Sequence, residues 1–127
     1  MQQQYEGQLK FTRSMRLRAA AEFSNLFQKG KRIRGKAVHI VFQKHRNTHQ
    51  PSQWGVAVGK KLGSAPRRNR LKRLLREQIR LSQQNIPNGY QFVVVVLAAV
   101  NQSTDDVFVV DFNETLSRLL KRLGEVL

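Results

Sequence analysis

The stretch with the clearest chemical character is Pro66 to Gln84, PRRNRLKRLLREQIRLSQQ. On a helical wheel of about 100° per residue, Leu74, Leu75, Ile79 and Leu81 lie within about 80° of Leu71. Asn69, Arg70, Lys72, Arg73, Arg76 and Arg80 fall on the opposite arc, and Arg67 and Arg68 precede them in the first turn. Glu77 is the only acid in the stretch. Like charges crowded on one helix face destabilise an isolated helix by a few tenths of a kcal/mol per adjacent pair. A phosphate backbone offsets that cost, because neutralising phosphates releases condensed counterions. Arginine outnumbers lysine here, and guanidinium forks match phosphate oxygens and stack on bases. Asn69 can both donate and accept hydrogen bonds within that face. Lys60 and Lys61, just upstream, extend the cationic surface.

Residues suited to catalysis are scarce by comparison. The three histidines are His39, His45 and His49. His45 and His49 have i, i+4 spacing but fall in a loop-like segment beside Pro51, with no acid close in sequence, so no metal site is expected there. Asp105 and Asp106 read as acids at a helix start, where the dipole favours negative charge. The chain has no cysteine, which removes thiolate nucleophiles, disulfides and Cys-based zinc sites. No catalytic residue is expected in the protein itself.

These side chains must be positioned by a small framework. Residues 1–15 are polar and aperiodic and read as a flexible lead-in; residues 16–127 read as one RNA-binding domain. Ala19 to Lys29 reads as a helix closed by Gly30, with Phe23, Leu26 and Phe27 on one face. Val38, Ile40 and Phe42 alternate with His39, Val41 and Gln43, a strand pattern. Residues 54–60 read as another strand, so residues 33–60 suggest a hairpin with a long polar loop at 45–53. Gly63, Ser64 and Pro66 mark the start of the basic helix. Phe92 to Ala98 is apolar on both faces and suits a central strand covered on both sides. A last helix is expected from Ser103 and Thr104 onward, with Phe108, Phe112, Leu116, Leu119, Leu120 and Leu123 at helical spacing.

Composition agrees with a nucleic-acid partner. The 127 residues carry 23 Lys and Arg against 8 Asp and Glu, a formal charge of +15. The charge is polarised along the chain. Residues 1–80 hold 20 basic and 3 acidic side chains, and residues 81–127 hold 3 basic and 5 acidic. The longest apolar run, Phe92 to Val100, has nine residues, whereas a membrane span needs about 20. No signal peptide is expected from the polar start MQQQYEGQLK. The residues alone fit a structural RNA-binding protein, such as a ribosomal one, as well as a subunit of an RNA-based enzyme. A DNA reader in the major groove would need more base-reading side chains than Asn69.

Residues 55–77, GVAVGKKLGSAPRRNRLKRLLRE, resemble the signature of the bacterial ribonuclease P protein family. The matching positions are Lys60, Lys61, Gly63, Arg68, Asn69, Arg70, Lys72, Arg73, Arg76 and Glu77. The resemblance runs from about Leu17 to Leu123 and includes Phe23, Phe27 and Gly30. It implies an α/β (α+β) fold, a single compact domain with a small mixed sheet and elements in the order α-β-β-β-α-β-α. A left-handed β-α-β crossover around the basic helix is also implied. The implied partners are a catalytic RNA and precursor tRNA, with no DNA, no membrane and a protein monomeric outside the complex. The RNA is implied to hold Mg²⁺ and to cleave the 5′ leader, in the cytoplasm. The protein is implied to grip that leader in a cleft between sheet and first helix, where Phe23, Phe27, Val38 and Ile40 match by position. The sequence departs from the family pattern at Val41, where an aromatic is usual, and at Pro66, where an aliphatic is usual.

Overall fold

A computed structural model describes residues 16–17, 20–45 and 48–126. The lead-in expected over residues 1–15 lies outside the described residues. The elements run α1 (Ala20–Lys29), β1 (Lys31–Arg34), β2 (Val38–Lys44), β3 (Gln53–Ala57), α2 (Ala65–Ser82), β4 (Tyr90–Val96) and α3 (Asp105–Val126), with short 3-10 turns between several of them. This is the α-β-β-β-α-β-α order expected from the resemblance.

The four strands form one mixed sheet in the order β1-β2-β4-β3. β4 lies antiparallel to β2 and parallel to β3. The hairpin expected across residues 33–60 is therefore corrected. The short hairpin joins β1 to β2, with Ile33 opposite Ile40, and β4 is inserted between β2 and β3. The long loop after β2 imposes no tight reversal. The central place goes to YQFVVVV, which can bury both faces and pair along both edges.

Alternation along the strands divides two cores. Val38, Ile40, Phe42, Phe92, Val94 and Val96 pack with Leu71, Leu75 and Ile79 of α2 and with Phe108, Phe112, Leu116, Leu119 and Leu123 of α3. On the other face, Val41 and Val93 pack with Leu17 and with Leu26 of α1, flanked by Phe23, Phe27, Ala57 and Val95. The result is α1 over one face of the sheet and α2 with α3 over the other. FVVDF lies inside α3 as expected, where Thr104 starts the helix by accepting from the Val107 N–H at 3.3 Å.

The leucine seam of α2 is confirmed at Leu71, Leu75 and Ile79, with Leu74 half-buried. Leu81 departs from it and is 52% exposed. It lies at the edge of the apolar arc and in the last turn, and the helix ends one residue later. Trp54 is buried and stacked on Phe92, ring centroids 4.3 Å apart, so it serves packing.

Candidate functional site

The start of α2 follows from local chemistry. Gly63 takes φ of +128°, a conformation that side-chain-bearing residues rarely adopt. Ser64 Oγ then accepts from the Arg67 N–H at 3.4 Å, and Pro66 occupies the first turn, where a missing N–H is tolerated. The departure at Pro66 is thus compatible with a regular helix start. With the leucines facing the sheet, the polar side turns outward. Asn69, Arg70 and Arg73 are exposed, as are Lys60 and Lys61 on the preceding turn. Arg67, Arg68, Lys72, Arg76 and Arg80 are half-buried, their stems lying along the protein surface.

Three of these arginines meet acids. Asp105, at the start of α3, receives Arg70 Nε at 2.7 Å, and Arg67 approaches it at 3.6 Å. Arg80 pairs with Glu77 one turn back, and that hydrogen bond holds the Glu77 carboxyl below its ordinary pKa. Arg76 differs: burial and then the charge of Arg16 lower its pKa. Arg16 bridges to Trp54 on β3, the edge strand, so the cationic surface of α2 continues around that edge. Cations that repel one another in this way gain from an incoming anion. The Asp105 role of orienting arginines was not legible in the sequence, where it reads only as a helix-start acid.

On the opposite face of the sheet, α1 packs over Val41 of β2 and Val93 of β4. Phe23 and Phe27 are half-buried at the margin of this packing. Gly55 of β3 lets Phe23 lie against the sheet, since a Cβ there would be 2.6 Å from the ring. Val38 and Ile40, expected beside them, are instead completely buried against α2 and α3. They are corrected as cleft residues, and strand parity is the reason. Successive side chains point to opposite faces, and the α1 side takes His39, Val41 and Gln43. Arg32 and Arg34, register partners of Val41 and His39, join that side. Burial and then the charges of Arg32 and Arg34 lower the His39 pKa below 6.5, favouring the neutral ring. Val41, where the family pattern has an aromatic, is fully buried under α1. Sequence reasoning missed Arg32, Arg34 and His39; the alternation in VHIVFQK was the signal that could have placed His39.

Among the described residues, no group of three or more His, Asp or Glu could hold a metal ion. Three of the acids have partners: Asp105 and Glu77 as above, and Asp111, which accepts from the Lys36 and Ala37 N–H groups at 3.1 and 2.8 Å. No described helix is long and apolar enough to cross a membrane.

Comparison with known proteins agrees with this geometry. A family model described as Ribonuclease P matches residues 11–123. The ribonuclease P protein component of Thermotoga petrophila is 35% identical over 113 residues, covering 89% of this chain and 95% of that protein. That of Fusobacterium nucleatum is 32% identical over 105 residues, covering 83% and 93%. Among solved structures, the ribonuclease P protein of Thermotoga maritima superposes with a TM-score of 0.68 at 32% identity, covering 84% of this chain and 96% of that one. The Staphylococcus aureus protein, at 20% identity and a TM-score of 0.77, shares the fold.

Proposed function

The chain belongs to the ribonuclease P protein family, and from that premise we propose that it is the protein subunit of an RNA-based endonuclease that removes the 5′ leader of precursor tRNA. The observation that carries this reading is the outward cationic face of α2, with Arg68, Asn69, Arg70, Lys72, Arg73 and Arg76 set opposite the buried Leu71, Leu75 and Ile79. That face binds the phosphates of the large catalytic RNA. Arginine forks supply charge and bidentate geometry there, and the phosphates offset the repulsion among them.

The cleft on the other side of the sheet takes the single-stranded leader. Phe23 and Phe27 offer ring faces on which bases stack with little regard to sequence. Arg32 and Arg34 supply positive charge for the leader phosphates. The phosphodiester chemistry belongs to the RNA, and the Mg²⁺ that it uses is held by the RNA; the protein binds and orients. The subunit works in the cytoplasm and is monomeric until it meets the RNA.

The test is reconstitution. Nuclease-free protein alone should leave precursor tRNA intact, and should stimulate the large RNA at physiological salt with Mg²⁺ present. Cleavage by the protein alone, or no stimulation of the RNA, would overturn the reading. Sequencing the RNA that co-purifies with the protein separates this role from that of a ribosomal protein.

A further inference from the structure

α2 opens against the usual chemistry of a helix start. The helix dipole favours acids in the first turn and disfavours cations. That turn holds no acid and carries Arg67 and Arg68, with Arg70 following. Arg67 and Arg70 are three residues apart, so they are neighbours on one face and repel each other. The missing negative charge comes from another element. The turn Lys60–Leu62 before α2 packs against the turn Ala98–Gln102 before α3, so the two helices start side by side. Thr104 fixes the start of α3 through the Val107 N–H, and Asp105 is the first residue of that helix.

The contact uses one particular edge of the Arg70 guanidinium. Asp105 Oδ2 accepts from Arg70 Nε at 2.7 Å and lies 2.6 Å from Nη2. Asp105 Oδ1 lies 3.6 Å from Arg67 Nη1. One carboxylate thus spans both cations, an oxygen to each. A guanidinium has five N–H donors in a fixed plane. Asp105 takes the side edge of Arg70 and leaves the outer edge, formed by Nη1 and Nη2, pointing away from it. The Arg70 side chain is still 65% exposed. Two parallel N–H groups on such an edge match two oxygens of one phosphate.

An exposed ion pair of this kind contributes little to stability. Its effect on binding is different. A free arginine loses rotamer freedom when it binds a ligand, and one already held in place loses less. The carboxylate also lowers the repulsion between two arginines that converge on one phosphate. We propose that Asp105 is a positioning residue for RNA binding: it stays against Arg67 and Arg70 in the complex and holds the outer edge of Arg70 toward a phosphate of the catalytic RNA. An acid within the cationic face thereby strengthens its hold on a polyanion. The inference rests on the functional reading above and deepens it.

The experiment is equilibrium binding of the full-length protein to the large RNA and to poly(U) at one salt concentration. The variants are Asp105→Asn, Asp106→Asn, Arg70→Ala and the Asp105→Asn, Arg70→Ala pair. Asp106 is the control, since it is exposed in the same first turn of α3 and its variant loses the same charge. Charge alone predicts that either asparagine variant binds RNA more tightly. Asp105→Asn should instead weaken binding to the large RNA by about fivefold, the scale of one side chain left to be immobilised. Asp106→Asn should not weaken it. Both should bind poly(U), a flexible strand held by charge, at least as tightly as wild type. In the Arg70→Ala background, Asp105→Asn should cost no more than about twofold, because the group it acts through is gone. Asp105→Glu keeps the charge at the helix start, and so the fold where Asp105→Asn loses it; with the carboxylate moved by one methylene, it should also weaken binding to the large RNA. Thermal melting checks each variant. Folded Asp105 variants that bind the large RNA as tightly as wild type, or more tightly, would make the carboxylate a bystander or a competitor that phosphate displaces. That result overturns the inference and leaves the subunit role standing. So does an equal loss on both RNAs, or an undiminished loss in the Arg70→Ala background, either of which would assign Asp105 to the packing of α2 on α3 alone. A wild-type protein that neither binds nor stimulates the large RNA would overturn the functional reading and this inference with it.

Discussion

The contact between Phe23 and Gly55 allows a prediction that links fold to leader binding. A methyl group at residue 55 would stand 2.6 Å from both Cε1 and Cζ of Phe23, and 3.4 Å from Leu17 Cδ1. Something must move, and the ring tip is freer than the strand backbone. Gly55→Ala should therefore destabilise the protein by about 1–2 kcal/mol, in the lower part of the range for overpacking. Phe23→Ala should cost about 2 kcal/mol, roughly half the usual figure for a fully buried phenylalanine, because the ring is half-buried. In the double variant the methyl occupies space that the ring has left. The double variant should thus cost about 2 kcal/mol rather than the sum of about 3–4, a coupling of about 1–2 kcal/mol. Urea unfolding of the four proteins measures this cycle. Binding of precursor and mature tRNA by the reconstituted complexes supplies the functional arm. Both single variants should weaken precursor binding, by about 1–3 kcal/mol where a base stack is lost, and leave mature tRNA unaffected. Additivity within about 0.5 kcal/mol would refute the ring-on-glycine packing. Equal loss of both substrates by a stably folded variant would refute the cleft assignment.

Arg73→Ala removes an exposed cation and should weaken binding to the catalytic RNA by about 1–3 kcal/mol while shifting stability by no more than about 0.5 kcal/mol; filter binding and melting check the pair. Binding to that RNA should be steeply salt-dependent, with a slope of log K against log salt of about −4 to −5 if roughly five phosphates are neutralised; a near-flat slope would remove phosphate contacts as the main source of affinity. His39 has a folded pKa below its unfolded value of 6.5, so the unfolded chain binds the extra proton first. Its contribution to stability is present above about pH 6.5 and declines as pH falls below that value. His39→Gln should remove this component, visible as a shallower loss in urea midpoints between pH 7 and pH 5.

How much was legible in the sequence depended on whether a feature is local. The basic helix was legible because both its faces are written at 3.6-residue spacing within one segment. Gly63, Ser64 and Pro66 announced its start through turn and cap chemistry that needs no partner. β4 was legible as a central strand because both its faces are apolar. Phe23 and Phe27 were placed beside a cleft through the family resemblance, and the structure gives them partial exposure. Leu81 was misassigned because a wheel extends an arc without knowing where the packing partner ends.

The sequence by itself determined the three helices, the central strand, the polarity of charge and the cationic face of α2, since these depend on neighbours within a few residues; the strand Lys31–Arg34 entered only through the order that the resemblance implies. Tertiary structure decided what depends on distant pairing. Strand alternation divides β2 into Val38, Ile40 and Phe42 on one side and His39, Val41 and Gln43 on the other, yet it does not say which side meets α1. Only the insertion of β4 between β2 and β3 sets that, and with it the burial of Val38 and Ile40. The same pairing aligns Gln43, Gln91 and Gln53, residues far apart in the chain. A one-residue slip in either register would turn their amides to opposite faces of the sheet and dissolve the row.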